Sequence, residues 1–134
     1  MIHIVDDDPN VRDGFTILLK SAGLECSSFE SAELFLANYK AESNDLLILD
    51  IHLNGMNGNS LLENLMKKGI RLPVIIITAY DEKSSRESAK NYGALAYLRK
   101  PVDSTALIDL VKYNVDIQIL NNTNISIQTK RSNV

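Results

Sequence analysis

The apolar residues of this chain fall into five short runs, separated by stretches in which apolar and polar residues alternate at helical spacing. The runs predict strands at 2–5, 24–29, 46–49, 74–77 and 96–99. The runs at 46–49 and 74–77 contain no polar residue, which is typical of strands buried on both faces of a parallel sheet. The run at 24–29 is more polar and fits an edge strand.

The segments between the runs predict helices with identifiable starts and stops. Pro9 suits the first position of a helix, with Asp8 as its N-cap and Gly23 as its C-terminal stop. The other predicted helices are one capped by Ser31, two at 60–68 and 83–92, and one that starts near Asp103 or Ser104. Strands that alternate with helices predict an α/β fold with a doubly wound five-stranded parallel sheet. The expected strand order is 2-1-3-4-5, as in flavodoxin-like (βα)5 domains.

Residues 1–115 contain all five strand–helix units and form the predicted domain. The tail, 116–134, is rich in Asn, Ser, Thr and Ile and shows no helical periodicity. A linker, a disordered end and an added strand all remain open for this tail. It is too short for a further helix-turn-helix domain, so the chain is either a single-domain protein or a piece of a longer one.

Composition and charge exclude several classes of protein. The chain of 134 residues has a formal net charge of −3, which argues against a broad surface for nucleic acid or an anionic membrane. Its single cysteine, Cys26, cannot form an internal disulfide and fits a reducing compartment. No apolar run approaches the ~20 residues that span a bilayer. We therefore expect a cytoplasmic protein that binds neither membranes nor, by itself, nucleic acid.

Polar residues with chemical potential stand where the predicted strands end. Asp6 and Asp7 follow the first strand, Asp50 the third, Thr78 the fourth, and Lys100 the fifth. In the expected strand order the first and third strands are neighbours, and ligands of such sheets bind at the carboxyl edge where the order reverses. The three aspartates are therefore expected to meet in one crevice, with the hydroxyl and the ammonium group beside them.

Such a cluster of carboxylates is costly unless a cation joins it. Hard oxygen ligands without a His or Cys cluster favour Mg²⁺ over zinc. Carboxylates, Mg²⁺, a lysine and a hydroxyl together suit phosphoryl transfer, in which an aspartate can act as the nucleophile. The sequence has no Gly-rich phosphate loop, so a nucleotide is not the expected donor.

The segments at these strand ends resemble four motifs of the receiver domains of two-component response regulators. They are IVDDDPNVR at 4–12, LLILDIHLNGMNG at 46–58, VIIITAY at 74–80 and AYLRKPV at 96–102. The motifs occur in the order of that family, and the resemblance covers roughly residues 1–115. The segment SAELFL at 31–36 resembles receivers from regulators that carry a helix-turn-helix output domain.

The resemblance implies a set of roles around a metal ion. Asp50 resembles the phosphoacceptor, and Asp6 and Asp7 resemble the acidic pair, with Asp7 as the more direct ligand. His52 occupies the position whose backbone carbonyl completes the metal site. The implied cofactor is Mg²⁺, with Mn²⁺ as a substitute.

The resemblance also implies a conformational switch. Thr78 resembles the switch hydroxyl, Lys100 the lysine that binds the phosphoryl group, and Tyr97 the aromatic residue that turns inward with Thr78. The bond between Lys100 and Pro101 is expected to be cis, as in the family.

Three positions near Asp50 and Thr78 bear on how closely this chain follows the pattern of the family that it resembles. His52 lies two residues after Asp50, and Tyr80 lies two residues after Thr78. In the family, these two positions tune the rate of dephosphorylation. Both side chains are large, which predicts slow loss of the phosphoryl group. The His52 side chain is expected to face solvent. Asn54 stands where the family often has proline, so a looser loop is expected there.

The implied function is a signalling switch rather than an enzyme with a separate substrate. Its phosphoryl donor would be a phosphohistidine on a sensor histidine kinase or a phosphotransfer protein. A phosphorylation-dependent homodimer through the fourth and fifth helices is a further expectation. Two alternatives are weighed against this: a degenerate receiver that only binds proteins, and an aspartyl-phosphate-forming phosphatase. The intact set of acidic residues and the lysine argues against the first, and Pro9-Asn10 after the aspartates argues against the second.

Overall fold

The computed structural model describes the backbone of residues 1–42 and 44–132, and the side chains of these residues up to 121. In this described part of the chain, five strands alternate with five helices. The strands are β1 (Ile2–Val5), β2 (Cys26–Phe29), β3 (Leu46–Asp50), β4 (Val74–Thr78) and β5 (Ala96–Arg99). The helices are α1 (Pro9–Ser21), α2 (Ala32–Asn38), α3 (Gly58–Lys67), α4 (Lys83–Tyr92) and α5 (Ser104–Ser132).

The strands form one parallel sheet in the order β2-β1-β3-β4-β5, which confirms the predicted fold class and strand order. Every residue of β3 and β4 is buried, as expected for apolar strands in the middle of a sheet. Val5 pairs with Leu49, so the residues that follow them, Asp6 and Asp50, leave the sheet side by side. The register of the central strands thus brings the acidic residues to one edge.

Local capping explains where the helices begin. The Asp8 side chain accepts a hydrogen bond from the Asn10 N–H at 2.9 Å, which confirms its predicted role as the N-cap of α1. Helix α3 begins two residues earlier than predicted, because the Asn57 side chain caps it by accepting the Ser60 N–H at 2.9 Å. Gly58 has a low intrinsic helix propensity, so its residue type gives little signal that the helix already includes it.

Helix α5 extends beyond residue 115, where the sequence analysis placed the end of the last helix. Its backbone is helical to Ser132, so an added strand does not describe 116–132. The segment from Ser104 to Ser132 contains neither glycine nor proline, and nothing in its sequence interrupts a helix. The residues divide into two compact units, Met1–Val102 and a second that starts at Asp103. Among the described residues, none of the helices combines the length and apolar character that crossing a bilayer requires.

One face of the sheet packs against α2, α3 and α4 through a contiguous apolar cluster. Its largest fully buried side chain is Phe35 of α2, which packs edge-on against Phe29 with ring centroids 5.5 Å apart. Leu61, Leu62 and Leu65 supply the α3 contribution. Because protein interiors are close-packed, this cluster holds the strands, and therefore the residues at their carboxyl ends, in fixed positions relative to α2, α3 and α4.

The buried histidine of β1, His3, lies beside this cluster and is packed among core side chains. Its Nδ1 lies 2.9 Å from the Ser27 hydroxyl, and its Nε2 lies 3.4 Å from a carboxylate oxygen of Asp45. Its ring contacts Phe35 and Tyr39 edge-on. Burial lowers the pKa of His3 below its ordinary value, although the nearby Asp45 carboxylate partly opposes this.

This shift predicts that His3 makes the fold less stable in mild acid. Because its pKa is lower in the folded than in the unfolded chain, the unfolded chain binds more protons as the pH falls below 6.5. The contribution of neutral His3 is therefore fully present above that pH and is lost below it. The free energy of unfolding, measured by urea denaturation across this range, should fall more steeply in the wild type than in His3→Gln. Equal slopes would show that His3 does not titrate between the two states.

Candidate functional site

Three carboxylates meet at the carboxyl edge of the sheet, as predicted. Asp6 and Asp7 follow β1, and Asp50 is the last residue of β3. Each offers an oxygen, and these oxygens all lie within 4.8 Å of one another. Asp6 and Asp50 are buried and Asp7 is half-buried, so this acidic cluster is open to solvent mainly at Asp7.

Lys100 bridges the two buried members of the acidic cluster. Its Nζ donates to Asp6 Oδ2 at 2.9 Å and to Asp50 Oδ2 at 3.1 Å. Its backbone N–H donates to the Thr78 carbonyl at 2.8 Å, which ties the end of β5 to the end of β4. The Lys100–Pro101 peptide bond is cis. The backbone bond fixes the main chain of Lys100, and the two bonds from Nζ hold its ammonium group beside the carboxylates.

The pKa values of Asp6 and Lys100 reflect both their burial and the charges beside them. Burial raises the pKa of Asp6, while the Asp8 N–H at 2.9 Å and the Lys100 ammonium act in the opposite direction. Burial lowers the pKa of Lys100, but its hydrogen bond to Asp6 and the charge of Asp50 outweigh this, and the pKa lies above its ordinary value. Lys100 is therefore a permanent cation at neutral pH.

The acidic cluster is suited to hold a metal ion. Three carboxylates face one ammonium group, which leaves an excess of negative charge that a divalent cation would neutralise. All the facing donors are hard oxygens, and neither His nor Cys belongs to the cluster. Backbone N–H groups already orient two of the carboxylates: His52 donates to Asp50 Oδ1 at 3.0 Å and Asn54 donates to Asp7 Oδ2 at 3.2 Å.

Thr78 lies at the end of β4 with its hydroxyl engaged in its own turn. The hydroxyl donates to the Tyr80 carbonyl at 2.7 Å and accepts the Tyr80 N–H at 3.1 Å. Thr78 is fully buried, whereas the Tyr80 side chain is 67% exposed. The hydroxyl therefore stands at the predicted edge of the sheet but is satisfied by the backbone two residues on.

The side chains of His52 and Tyr80 pair above this edge. Their ring centroids lie 5.6 Å apart with the planes at 82°, an edge-to-face contact. His52 is half-buried with its Nε2 enclosed by protein, so the expectation that its side chain faces solvent was wrong. Tyr97, on β5, is also half-buried, and burial raises the pKa of its hydroxyl.

Three contacts near the acidic cluster were not predicted from the sequence, including the one made by Asn54. A guanidinium nitrogen of Arg12 donates to the Asp6 carbonyl at 2.7 Å, which fixes the turn after β1. The Asn54 N–H holds Asp7, and Glu33 of α2 accepts the Met56 N–H at 3.0 Å. Two of the three contacts use the backbone N–H of a loop residue, for which the residue type gives no signal.

Known proteins resemble this chain in sequence and in fold. A family model for the response regulator receiver domain matches residues 2–112. The DNA-binding transcriptional regulator NtrC of Salmonella typhimurium is 37% identical over 112 residues, which are 84% of this chain and 24% of that protein. The transcriptional regulatory protein FixJ of Azorhizobium caulinodans is 32% identical over 111 residues, 83% of this chain and 53% of that protein. The chain thus spans between a quarter and about half of these relatives.

A solved structure shows the same fold. The CheY-like response regulator receiver domain protein from Methanospirillum hungatei superposes with a TM-score of 0.80 at 31% identity. The match covers 90% of this chain and 96% of that one.

Proposed function

The chain belongs to the response regulator receiver domain family, and from that premise we propose that it is a phosphoacceptor switch with Asp50 as the acceptor. The observation that carries the proposal is the position of Asp50. One of its oxygens accepts from Lys100 Nζ at 3.1 Å, and its carboxylate lies with Asp6 and Asp7 in the acidic cluster. A nucleophile flanked by a fixed cation and a cation-binding cluster is suited to receive a phosphoryl group.

The residues of this chain divide the chemistry among them. An Asp50 oxygen attacks the phosphorus of a phosphohistidine whose other ring nitrogen carries a proton, the phosphorus–nitrogen bond breaks, and neutral imidazole leaves with the bonding electrons. Lys100 stabilises the phosphoryl oxygens by its charge and remains protonated throughout. The carboxylates of Asp6, Asp7 and Asp50 and the backbone carbonyl of His52 would hold Mg²⁺, or Mn²⁺ in its place. When bound, the metal ion would neutralise charge on the phosphoryl oxygens.

The response follows from the bonds that Thr78 makes at rest. A phosphoryl group on Asp50 adds negative charge and acceptor oxygens beside the end of β4. The Thr78 hydroxyl would leave the Tyr80 carbonyl and donate to a phosphoryl oxygen. The loop after β4 would then shift, with Tyr97 turning inward as Thr78 moves, which is a population shift between two conformations.

The partners follow from the same proposal. The phosphoryl donor would be a sensor histidine kinase or a phosphotransfer protein, and the chain itself would act in the cytoplasm. The relatives are named as transcriptional regulators, so an output through transcription is proposed, with 116–134 as the linker or tail that follows the domain. A phosphorylation-dependent homodimer through the fourth and fifth helices would be one way to transmit the signal. The chain would have no separate substrate of its own.

Intact mass after incubation with acetyl phosphate tests the proposal. We expect a gain of one phosphoryl group that requires Mg²⁺ and is lost when EDTA is present. Absence of any gain with Mg²⁺, and with a panel of phosphorylated histidine kinases, would leave the protein-binding interpretation in the lead. Steady release of phosphate from p-nitrophenyl phosphate would instead favour the phosphatase.

The paired rings of His52 and Tyr80 predict a long-lived phosphoryl group. The two side chains stand two residues after Asp50 and Thr78 and contact each other edge-to-face. They would restrict the approach of water to the acyl phosphate. The half-life of phosphorylated protein, followed by intact mass after removal of the donor, should be several times shorter in Tyr80→Ala than in the wild type.

Tyr113 provides the matched control for this experiment. It lies on α5 and has the same exposed fraction as Tyr80, 67%. Tyr113→Ala should leave the half-life unchanged. A wild-type half-life of only seconds, or equal half-lives in the wild type and Tyr80→Ala, would contradict the shielding role.

A further inference from the structure

The loop between β3 and α3 is tied to the acidic cluster through the residue that replaces the proline common in the family. The Asn54 N–H donates to Asp7 Oδ2 at 3.2 Å. A proline at this position has no N–H and could not make the bond. The loop that the missing proline was expected to loosen thus has a contact to Asp7 that proline would forbid. The position of Asn54 relative to Asp7 depends, in turn, on what holds the loop.

Glu33, in the first turn of α2, holds this loop from the other side. Its Oε1 accepts the Met56 N–H at 3.0 Å. Its Oε2 lies against Gly55, where a Cβ atom would come within 2.8 Å of it. Gly55 has a φ of +73°, a conformation that favours glycine and lets the chain turn beneath the carboxylate. The Glu33 carboxylate therefore spans two consecutive residues directly after Asn54.

We propose that Glu33 is a positioning residue for the cation site, acting through the 54–56 loop on the orientation of Asp7. This inference rests on the proposed function, because the site it positions is the one assigned to Mg²⁺. Glu33 does not itself belong to the acidic cluster, in which the facing oxygens come from Asp6, Asp7 and Asp50. It fixes Met56, Met56 fixes the path of the loop, and the loop presents the Asn54 N–H to the carboxylate.

The chemistry of metal sites gives this arrangement a measurable consequence. Partners that orient a ligand by a hydrogen bond typically change metal affinity by about 10- to 100-fold when they are removed. Glu33 acts one step further out and its bond to Met56 is exposed, so the effect should be smaller. We expect Glu33→Ala to raise the Mg²⁺ concentration for half-saturation by about three- to tenfold, below the usual range for such partners.

Three variants separate the hydrogen bond from the charge. Glu33→Ala removes both, whereas Glu33→Gln removes the charge but keeps an oxygen that can accept the Met56 N–H. Glu30→Ala is the matched control, because it removes an exposed negative charge just before α2. We expect Glu33→Gln and Glu30→Ala to bind Mg²⁺ as the wild type does, and Glu33→Ala alone to bind it more weakly.

The binding is measured by titrating Mg²⁺ into the full chain without a phosphoryl donor and following amide chemical shifts by NMR. Hydrogen exchange in metal-free protein provides a second measurement: the amides of Asn54 and Met56 should exchange faster in Glu33→Ala only. With acetyl phosphate, Glu33→Ala should need more Mg²⁺ but reach the wild-type extent of phosphorylation at saturation. A general loss of structure would lower that extent at every Mg²⁺ concentration.

The outcomes distinguish the two proposals. Equal Mg²⁺ half-saturation in the wild type and Glu33→Ala would overturn the positioning role while leaving the phosphoacceptor function intact. Equal weakening in Glu33→Ala, Glu33→Gln and Glu30→Ala would also overturn it, because charge alone would then explain the effect. If Mg²⁺ binds with the expected differences but Asp50 accepts no phosphoryl group from any donor, the positioning role stands and the proposed function fails.

Discussion

Replacing Asp50 with asparagine is expected to abolish phosphorylation completely. The amide has the size of the carboxylate and keeps an oxygen that can accept the His52 N–H, now at 3.0 Å from Asp50 Oδ1. It lacks the anionic oxygen that attacks phosphorus, and it leaves Lys100 without one of its two carboxylate partners. Intact mass after incubation with acetyl phosphate and Mg²⁺ should show no added phosphoryl group, against one in the wild type.

Asp8→Asn is the matched control for this variant. Asp8→Asn removes the same charge close to the acidic cluster in sequence. The Asp8 side chain, however, is exposed and caps α1. Asparagine caps helices about as well as aspartate. We therefore expect Asp8→Asn to be phosphorylated like the wild type. A phosphoryl group that persists in Asp50→Asn, with far-UV circular dichroism unchanged, would place the acceptor elsewhere.

Replacing Gly58 with alanine is expected to destabilise the fold and disturb the acceptor together. A Cβ at this position would lie 2.7 Å from Ile51 Cα and 3.0 Å from the Asp50 carbonyl oxygen. Both are backbone atoms, and the Gly58 N–H already donates to the Ile51 carbonyl at 2.9 Å, so neither side can move easily. Overpacking of this kind costs about 1–3 kcal/mol in the free energy of unfolding. Urea denaturation monitored by circular dichroism measures the loss.

Gly14→Ala separates this effect from alanine substitution in general. Gly14 lies within α1, and a Cβ there would meet no heavy atom within 4 Å. Because alanine is favoured over glycine inside a helix by about 1 kcal/mol, Gly14→Ala should be as stable as the wild type or more so. A urea midpoint for Gly58→Ala equal to that of the wild type would contradict this prediction. It would show that the start of α3 can move away from the end of β3 without cost.

The sequence predicted the sheet and the meeting of the acidic residues because both follow from patterns that repeat along the chain. Apolar runs without polar residues mark central strands, and the polar residues at their ends converge wherever parallel strands are neighbours. The course of α5 was not predicted beyond residue 115, since 116–132 is helical without an apolar stripe to signal it. The start of α3 was predicted two residues late, because Asn57 provides the cap and Gly58, a weak helix former, gives little signal of a helical position.

The contacts around the loop after β3 could not be predicted for a different physical reason. The bonds from Asn54 to Asp7 and from Met56 to Glu33 join residues 47 and 23 positions apart. Their donors are backbone N–H groups, which every residue except proline carries. Only the three-dimensional path of the loop selects which of them reaches a carboxylate, and that path depends on packing rather than on residue type.

The two hydrogen bonds between the Thr78 hydroxyl and the Tyr80 backbone limit how often the unphosphorylated protein would adopt the signalling conformation. Its hydroxyl makes two hydrogen bonds to the Tyr80 backbone at rest, each worth on the order of 0.5–1.5 kcal/mol. Without a phosphoryl oxygen to replace these two bonds, the Thr78 rotamer that breaks both would be populated in only roughly a few per cent of molecules. Under the proposed function, the stability of this three-residue turn therefore determines how much more of the signalling conformation the phosphorylated protein has than the unphosphorylated one. Substitutions that strengthen the turn would lower the activity of the unphosphorylated protein, and substitutions that weaken it would raise that activity.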